Sequence, residues 1–146
     1  MAKRDARGRK TNEHVTYIKR SVLSTDAWRA LSPKAQSIYV WLKFEWKGTK
    51  YNNGRIKLSC RQAAKCVGIG ANAAMTGFHE LQAKGFIIVT KLGALGVEGE
   101  ARGPSYELTE LPLMNAAPKA LFIKWKPGSD FEVRRHKSNN PKGKKS

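Results

Sequence analysis

The spacing of apolar positions divides the chain into a succession of elements. The stretch YIKRSVLS from Tyr17 has no helical period and reads as an extended lead-in, and STDAWRALSP then offers Ser24 or Thr25 as the cap of a short helical turn. Ser32-Pro33 is a second start signal, because proline is tolerated at a first helical position. Ala35, Ile38, Leu42 and Glu45 or Trp46 recur at helical spacing after it, so the first long helix is predicted to reach about Trp46. Tyr39, Val40, Trp41 and Phe44 leave that helix little polar face. A helix apolar nearly all round must be covered on more than one side. Either YIKRSVL and ALFIKW pack over it, the favoured arrangement, or part of it forms the interface of a homodimer.

KGTKYNNG then punctuates strongly, and GRIKLS is a short extended stretch with Ile56 and Leu58 on one face. Ser59 caps a helix to Val67, Gly68-Ile69-Gly70 makes a break, and Ala71 to Lys84 forms a second helix ended by Gly85. FIIVTKL and SYELTE are strands joined by the glycine-rich GALGVEGEARGP. The predicted order is helix, strand, helix, turn, helix, strand, long loop, strand, in an α+β domain.

That order resembles the winged helix-turn-helix domains of bacterial and phage DNA-binding proteins: a three-helix core plus a β-hairpin wing. In the family a small residue in the first short helix lets the second approach, a glycine opens the turn, apolar residues hold the second helix down, and a leucine four before a glycine ends it. Ala64, Gly68, Ala74, Leu81 and Gly85 occupy those places, followed by the GFI that starts the hairpin. The resemblance spans roughly residues 33 to 110. NGRIKLSCRQAA and ELQAKGFI further resemble regulators and replication-initiator-like proteins of plasmids, phages and integrating elements. It implies that the helix from Ala71 lies in the major groove of double-stranded DNA while the preceding helix and turn pin it against phosphates.

With Ala74, Phe78 and Leu81 facing inward, the outward positions of that helix are Gly70, Ala71, Asn72, Met75, Thr76 and His79. Asn72 suits a bidentate pair with adenine, Thr76 a base edge or thymine methyl, and Ala71 a methyl. The helix has no Lys or Arg before Lys84, and Gly77 weakens it by roughly 1 kcal/mol relative to alanine. Affinity is therefore expected from Ser59, Arg61, Gln62 and Lys65 around the preceding helix, from Lys91 and Arg102 flanking the wing, and from the tails.

Composition strengthens this picture. The 146 residues suit one domain, and 28 Lys and Arg against 11 Asp and Glu give a formal charge of +17, which favours a polyanionic partner. Residues 1 to 10 carry five Lys or Arg and one Asp; residues 134 to 146 carry six and no acid. The expected division is a basic flexible arm over 1–15, a folded domain over 16–133 and a basic flexible tail over 134–146. Apolar runs such as Ile38 to Leu42 fall far short of the ~20 residues of a spanning helix, and MAKRDARGRK lacks a signal-peptide apolar core. The expectation is a cytoplasmic, nucleoid-associated protein with no membrane partner.

Nothing in the chain points to catalysis. His14, His79 and His136 have no convergent partners, HE at 79–80 lacks the second histidine of a zinc protease helix, and GALGVEG lacks the lysine of a phosphate loop. Cys60 and Cys66 form neither a CxxC pair nor a zinc set with histidines, so they are expected to be reduced packing residues. No catalytic residue, metal or cofactor is expected. The function expected is transcriptional regulation in a bacterium or mobile element, with a plasmid or phage replication or recombination role as the alternative. RNA binding through the tails and exposed aromatics such as Trp125 is the rival from another class.

Overall fold

The computed structural model describes residues 3–4, 10–11, 15–48, 52–92, 94–95 and 101–135. Within the amino-terminal arm, strands β1 (Lys3–Arg4) and β2 (Lys10–Thr11) pair antiparallel. The domain that follows is mixed α and β. Its helices are α1 (Arg20–Leu23), α2 (Asp26–Ala30) and α3 (Pro33–Glu45), then, after strand β3 (Ile56–Lys57), α4 (Cys60–Val67) and α5 (Ala71–Ala83). Strands β4 (Ile87–Lys91), β5 (Ala94–Leu95), β6 (Ala101–Arg102) and β7 (Ser105–Leu108) come next, and α6 (Leu121–Lys124) last.

The caps form where the sequence signals them. Thr25 accepts from the Trp28 N–H and Ser32 from that of Ala35, while Pro33 occupies a first-turn position of α3 where no amide is needed. The segment YIKRSVLS departs from the expected extended lead-in. Its last half coils into α1, with the Ser24 hydroxyl donating to the Arg20 carbonyl, because one turn of helix is enough to drive Val22 into the core.

β3, β7 and β4 make a three-stranded antiparallel sheet in that spatial order, with Ile56 opposite Tyr106 and Val89 opposite the same residue on the other side. Thr90 is an extra residue between the Val89–Tyr106 and Lys91–Ser105 pairs, and beyond this irregularity the β4–β7 hairpin continues as the β5–β6 ladder. The core lies between the sheet and α3 and α5. Its centre is aromatic: Trp28, Tyr39 and Phe86 meet edge to face with centroids 5.5 to 5.7 Å apart, and Phe122 stacks on Phe86 at 4.9 Å.

An ion pair is buried with it. Lys43 Nζ lies 3.0 Å from Glu110 Oε2, with the two side chains 1% and 2% exposed. Off-line for a hydrogen bond to that oxygen, the ammonium is held by charge and by the Tyr17 ring 4.8 Å away. The Tyr39 hydroxyl donates to the other oxygen of Glu110.

The expected cover over α3 is only partly realised. Tyr17 lies against Lys43 of α3 and Val22 joins the core, but α6 packs on α2 and Phe86 instead, because its Phe122 finds the aromatic cluster. Val40 and Phe44 remain 41% and 56% exposed, with Trp41 edge-on to Phe44.

Candidate nucleic-acid interface

The sequence makes α4 and α5 two helices joined by a tight turn. Ser59 opens α4 with a reciprocal capping box: its hydroxyl accepts from the Gln62 amide N–H, and the Gln62 side-chain carbonyl accepts from the Ser59 N–H at 2.9 Å. Gly68 ends α4 at φ +84°, a left-handed conformation that suits glycine, and its N–H donates to the Ala64 carbonyl. α5 starts three residues later, at Ala71.

α5 buries Ala74, Gly77, Phe78, Leu81, Gln82 and Ala83. Phe78 stacks on Tyr106 of the sheet with ring centroids 5.2 Å apart. At Gly77 the helix crosses α3 so closely that a Cβ would stand 2.6 Å from Ile38 Cδ1 and 3.5 Å from Ala35 Cα. Close approach to a neighbouring helix therefore accounts for the glycine.

The opposite side of α5 is open. Gly70, Ala71, Asn72, Met75 and Thr76 are exposed, as the periodicity of Ala74, Phe78 and Leu81 requires, and His79 is half-buried. The helix carries one carboxylate, Glu80, and this is turned away from that face: it accepts from the N–H and hydroxyl of Ser32, both at 2.8 Å, at the start of α3. The open face is thus free of negative charge. Arg61 and Lys65 are exposed one turn apart on α4, and Lys91 is exposed at the end of β4. Both elements touch α5. A Cβ at Gly103 would lie 3.9 Å from Ser59 Cβ, so the returning arm of the hairpin passes beside the start of α4. Arg102 pairs with Ala94 through its backbone; its side chain lies outside the described residues.

Several of these side chains have further contacts. The Ser59 hydroxyl oxygen and the Gln62 side-chain carbonyl each accept from the other's backbone N–H, so both residues cap α4. The Thr76 hydroxyl donates back to the Asn72 carbonyl at 3.1 Å, leaving its methyl and lone pairs to face outward. Cys66 is exposed, whereas Cys60 packs against the core, where burial pushes its thiol pKa up. Trp125 also differs from its expected exposure: it is buried, Lys84 lies 5.1 Å from its ring centroid, and its indole N–H donates to Asp130 at 2.8 Å.

One participant was invisible to local sequence reasoning. The segment after α6 returns to α5, where Arg135 Nη1 sits 3.3 Å from His79 Nδ1. Burial first and the Arg135 charge second lower the His79 pKa, which favours a neutral ring. Arginine can only donate, so Nδ1 accepts and the ring proton is on Nε2. Arg134 and Arg135, assigned by composition to the flexible tail, are thus in contact with the domain. His14, His136 and the rest of the tail, 136–146, lie outside the described residues. Among the described residues there is no cluster of three His, Cys, Asp or Glu able to hold a metal, and no helix long and apolar enough to cross a membrane.

Comparison with protein families, with curated proteins and with solved structures finds no match for this chain.

Proposed function

We propose that the chain is a winged helix-turn-helix protein that binds double-stranded DNA, with α5 as the helix that enters the major groove, the β4–β7 hairpin as the wing, and a role in transcriptional regulation in a bacterium or mobile element. The observation that carries this reading is the open face of α5, an uncharged strip with Asn72 near its start, with basic side chains on α4 and β4, both of which touch the helix. Such a face suits base edges, while Arg61, Lys65 and Lys91 suit the phosphates on either side. The strand order β3-β7-β4 and the tight α4–α5 turn are the further support. The net charge of +17 supplies the long-range attraction. RNA binding is less well supported, because Trp125, the aromatic platform expected for it, is buried.

The test is a titration of duplex DNA and of RNA of equal length at two or more salt concentrations. Duplex binding is expected to weaken with a log–log slope of about −0.9 per neutralised phosphate, for roughly six to eight contacts. Tighter binding to RNA under all conditions would move the protein to the other class. On a site mapped by crosslinking, Asn72→Ala is expected to lose about 1 to 3 kcal/mol of preference over a scrambled duplex, with the salt slope unchanged.

A further inference from the structure

A groove-reading helix without a single cation from Ala71 to Ala83 is short of phosphate partners. The structure supplies one from elsewhere in the chain. We infer that Arg135 contacts a DNA phosphate beside α5, and that residues 131–135 form a strap that holds it there; this rests on the duplex-binding reading above.

The strap is fastened at successive points. The Phe131 N–H donates to the Ala83 carbonyl at 2.8 Å, the Arg134 N–H donates to Gln82 Oε1 at 2.8 Å, and Gln82 Nε2 donates back to the Arg134 carbonyl at 3.2 Å. Gln82 is buried, so its amide acts as a fixed two-way clamp. Arg134 turns inward, with Nη1 donating to the Val89 carbonyl at 2.7 Å. A side chain at Gly85 would collide with Phe131 Cε2 at 2.8 Å and with the Leu121 carbonyl carbon at 2.9 Å, so the end of α5 is shaped to seat the strap.

Arg134 is committed to the sheet, and its neighbour Arg135 is exposed and lies against His79 of α5. One nitrogen of the guanidinium faces the ring, and the other donors of the fork remain for an anion. The separation from Asn72 decides which anion. His79 follows Asn72 by two helical turns, about 10 Å along the axis. When the start of a helix meets base edges in the major groove, a point that far along it passes near the sugar-phosphate wall, where a guanidinium pairs with phosphate.

The experiment compares the salt dependence of duplex binding for the full chain and for Arg135→Ala, Arg135→Lys, Gln82→Ala and the exposed-site control Lys126→Ala, with thermal unfolding recorded for each. Arg135→Ala is expected to flatten the log–log slope by about 0.9 and to lose roughly tenfold in affinity near 0.1 M salt, the value of one phosphate contact. Its unfolding temperature should not move. Arg135→Lys should restore the slope, and Gln82→Ala, which loosens the clamp with Arg135 still present, should flatten it. An unchanged slope for Arg135→Ala, or an equal flattening in Lys126→Ala, overturns the inference while leaving duplex binding intact. Absence of duplex binding by the unmodified chain overturns the functional reading, and this inference with it.

Discussion

Gly77 sits in the middle of a helix, where glycine costs about 1 kcal/mol against alanine, so something at that position must repay the loss. The contact with α3 does so: a Cβ there would overlap Ile38 Cδ1, and Ile38 is fully buried with nowhere obvious to move. Gly77→Ala is expected to destabilise the domain by about 1 kcal/mol net, overpacking outweighing the propensity gain. Removing the offending methyl should reverse that. In a double-mutant cycle with Ile38→Val, the two changes together should cost less than their sum, by about 1 kcal/mol in chemical denaturation. A second residue-scale outcome concerns Tyr39, whose pKa is raised by burial and then by the Glu110 charge, and Tyr106, raised chiefly by burial. In the unfolded chain both tyrosines ionise near pH ~10 while the folded state keeps their protons, so the folded state binds more protons there and stability falls as pH rises above that value. Tyr39→Phe should make the alkaline loss shallower. At neutral pH the same change should cost about 1 to 3 kcal/mol, since it deprives a buried carboxylate of a donor. Denaturant midpoints at pH 7 and across the alkaline limb check both effects.

At the scale of elements, the part most legible in sequence was the α4–turn–α5 unit, because its signals are local. Ser59 three before Gln62, Gly68 at the break and Ala74, Phe78 and Leu81 at helical spacing each constrain the backbone within one or two turns, and each is found in that role. α1 was missed because its only reason to coil is Val22 reaching a core assembled from distant segments. The strap was missed for the same reason: Gln82 and Arg134 are 52 positions apart and neither is unusual in its own neighbourhood. The capping box also separates two roles that sequence alone assigned together. Ser59→Ala is expected to lower stability by about 1 kcal/mol while leaving the salt slope of the proposed DNA binding unchanged, whereas Arg61→Ala should flatten the slope and leave the unfolding temperature alone. Running both variants through the same unfolding and binding series shows whether Ser59 serves the helix or the ligand.

For the whole molecule, the relevant division of the chain falls at the strap. Ending the protein after Arg135 removes four lysines, which on the proposed duplex binding should lower the salt dependence, while so polar a sequence offers little apolar area to bury, so the unfolding temperature is expected to hold. Ending it after Asp130 removes Phe131 and the Gln82 clamp, and is expected to lower the unfolding temperature as well as the affinity. Calorimetry of the two truncations separates these outcomes. The exposed Val40 and Phe44 on α3 lie apart from these changes. A longer reach belongs to Glu110, which takes the Tyr39 proton donor from 71 positions upstream and the Lys43 charge on the same helix. During synthesis α3 leaves the ribosome long before Glu110 does, and until then Lys43 is a cation that α3 cannot bury without its counter-charge, a penalty of several kcal/mol. The nascent chain therefore has to wait for the end of the sheet before its first long helix can settle. In genetic terms, a premature stop anywhere upstream of codon 110 should yield an unfolded fragment cleared by proteases, so such alleles should behave as recessive nulls even when expressed beside the intact gene.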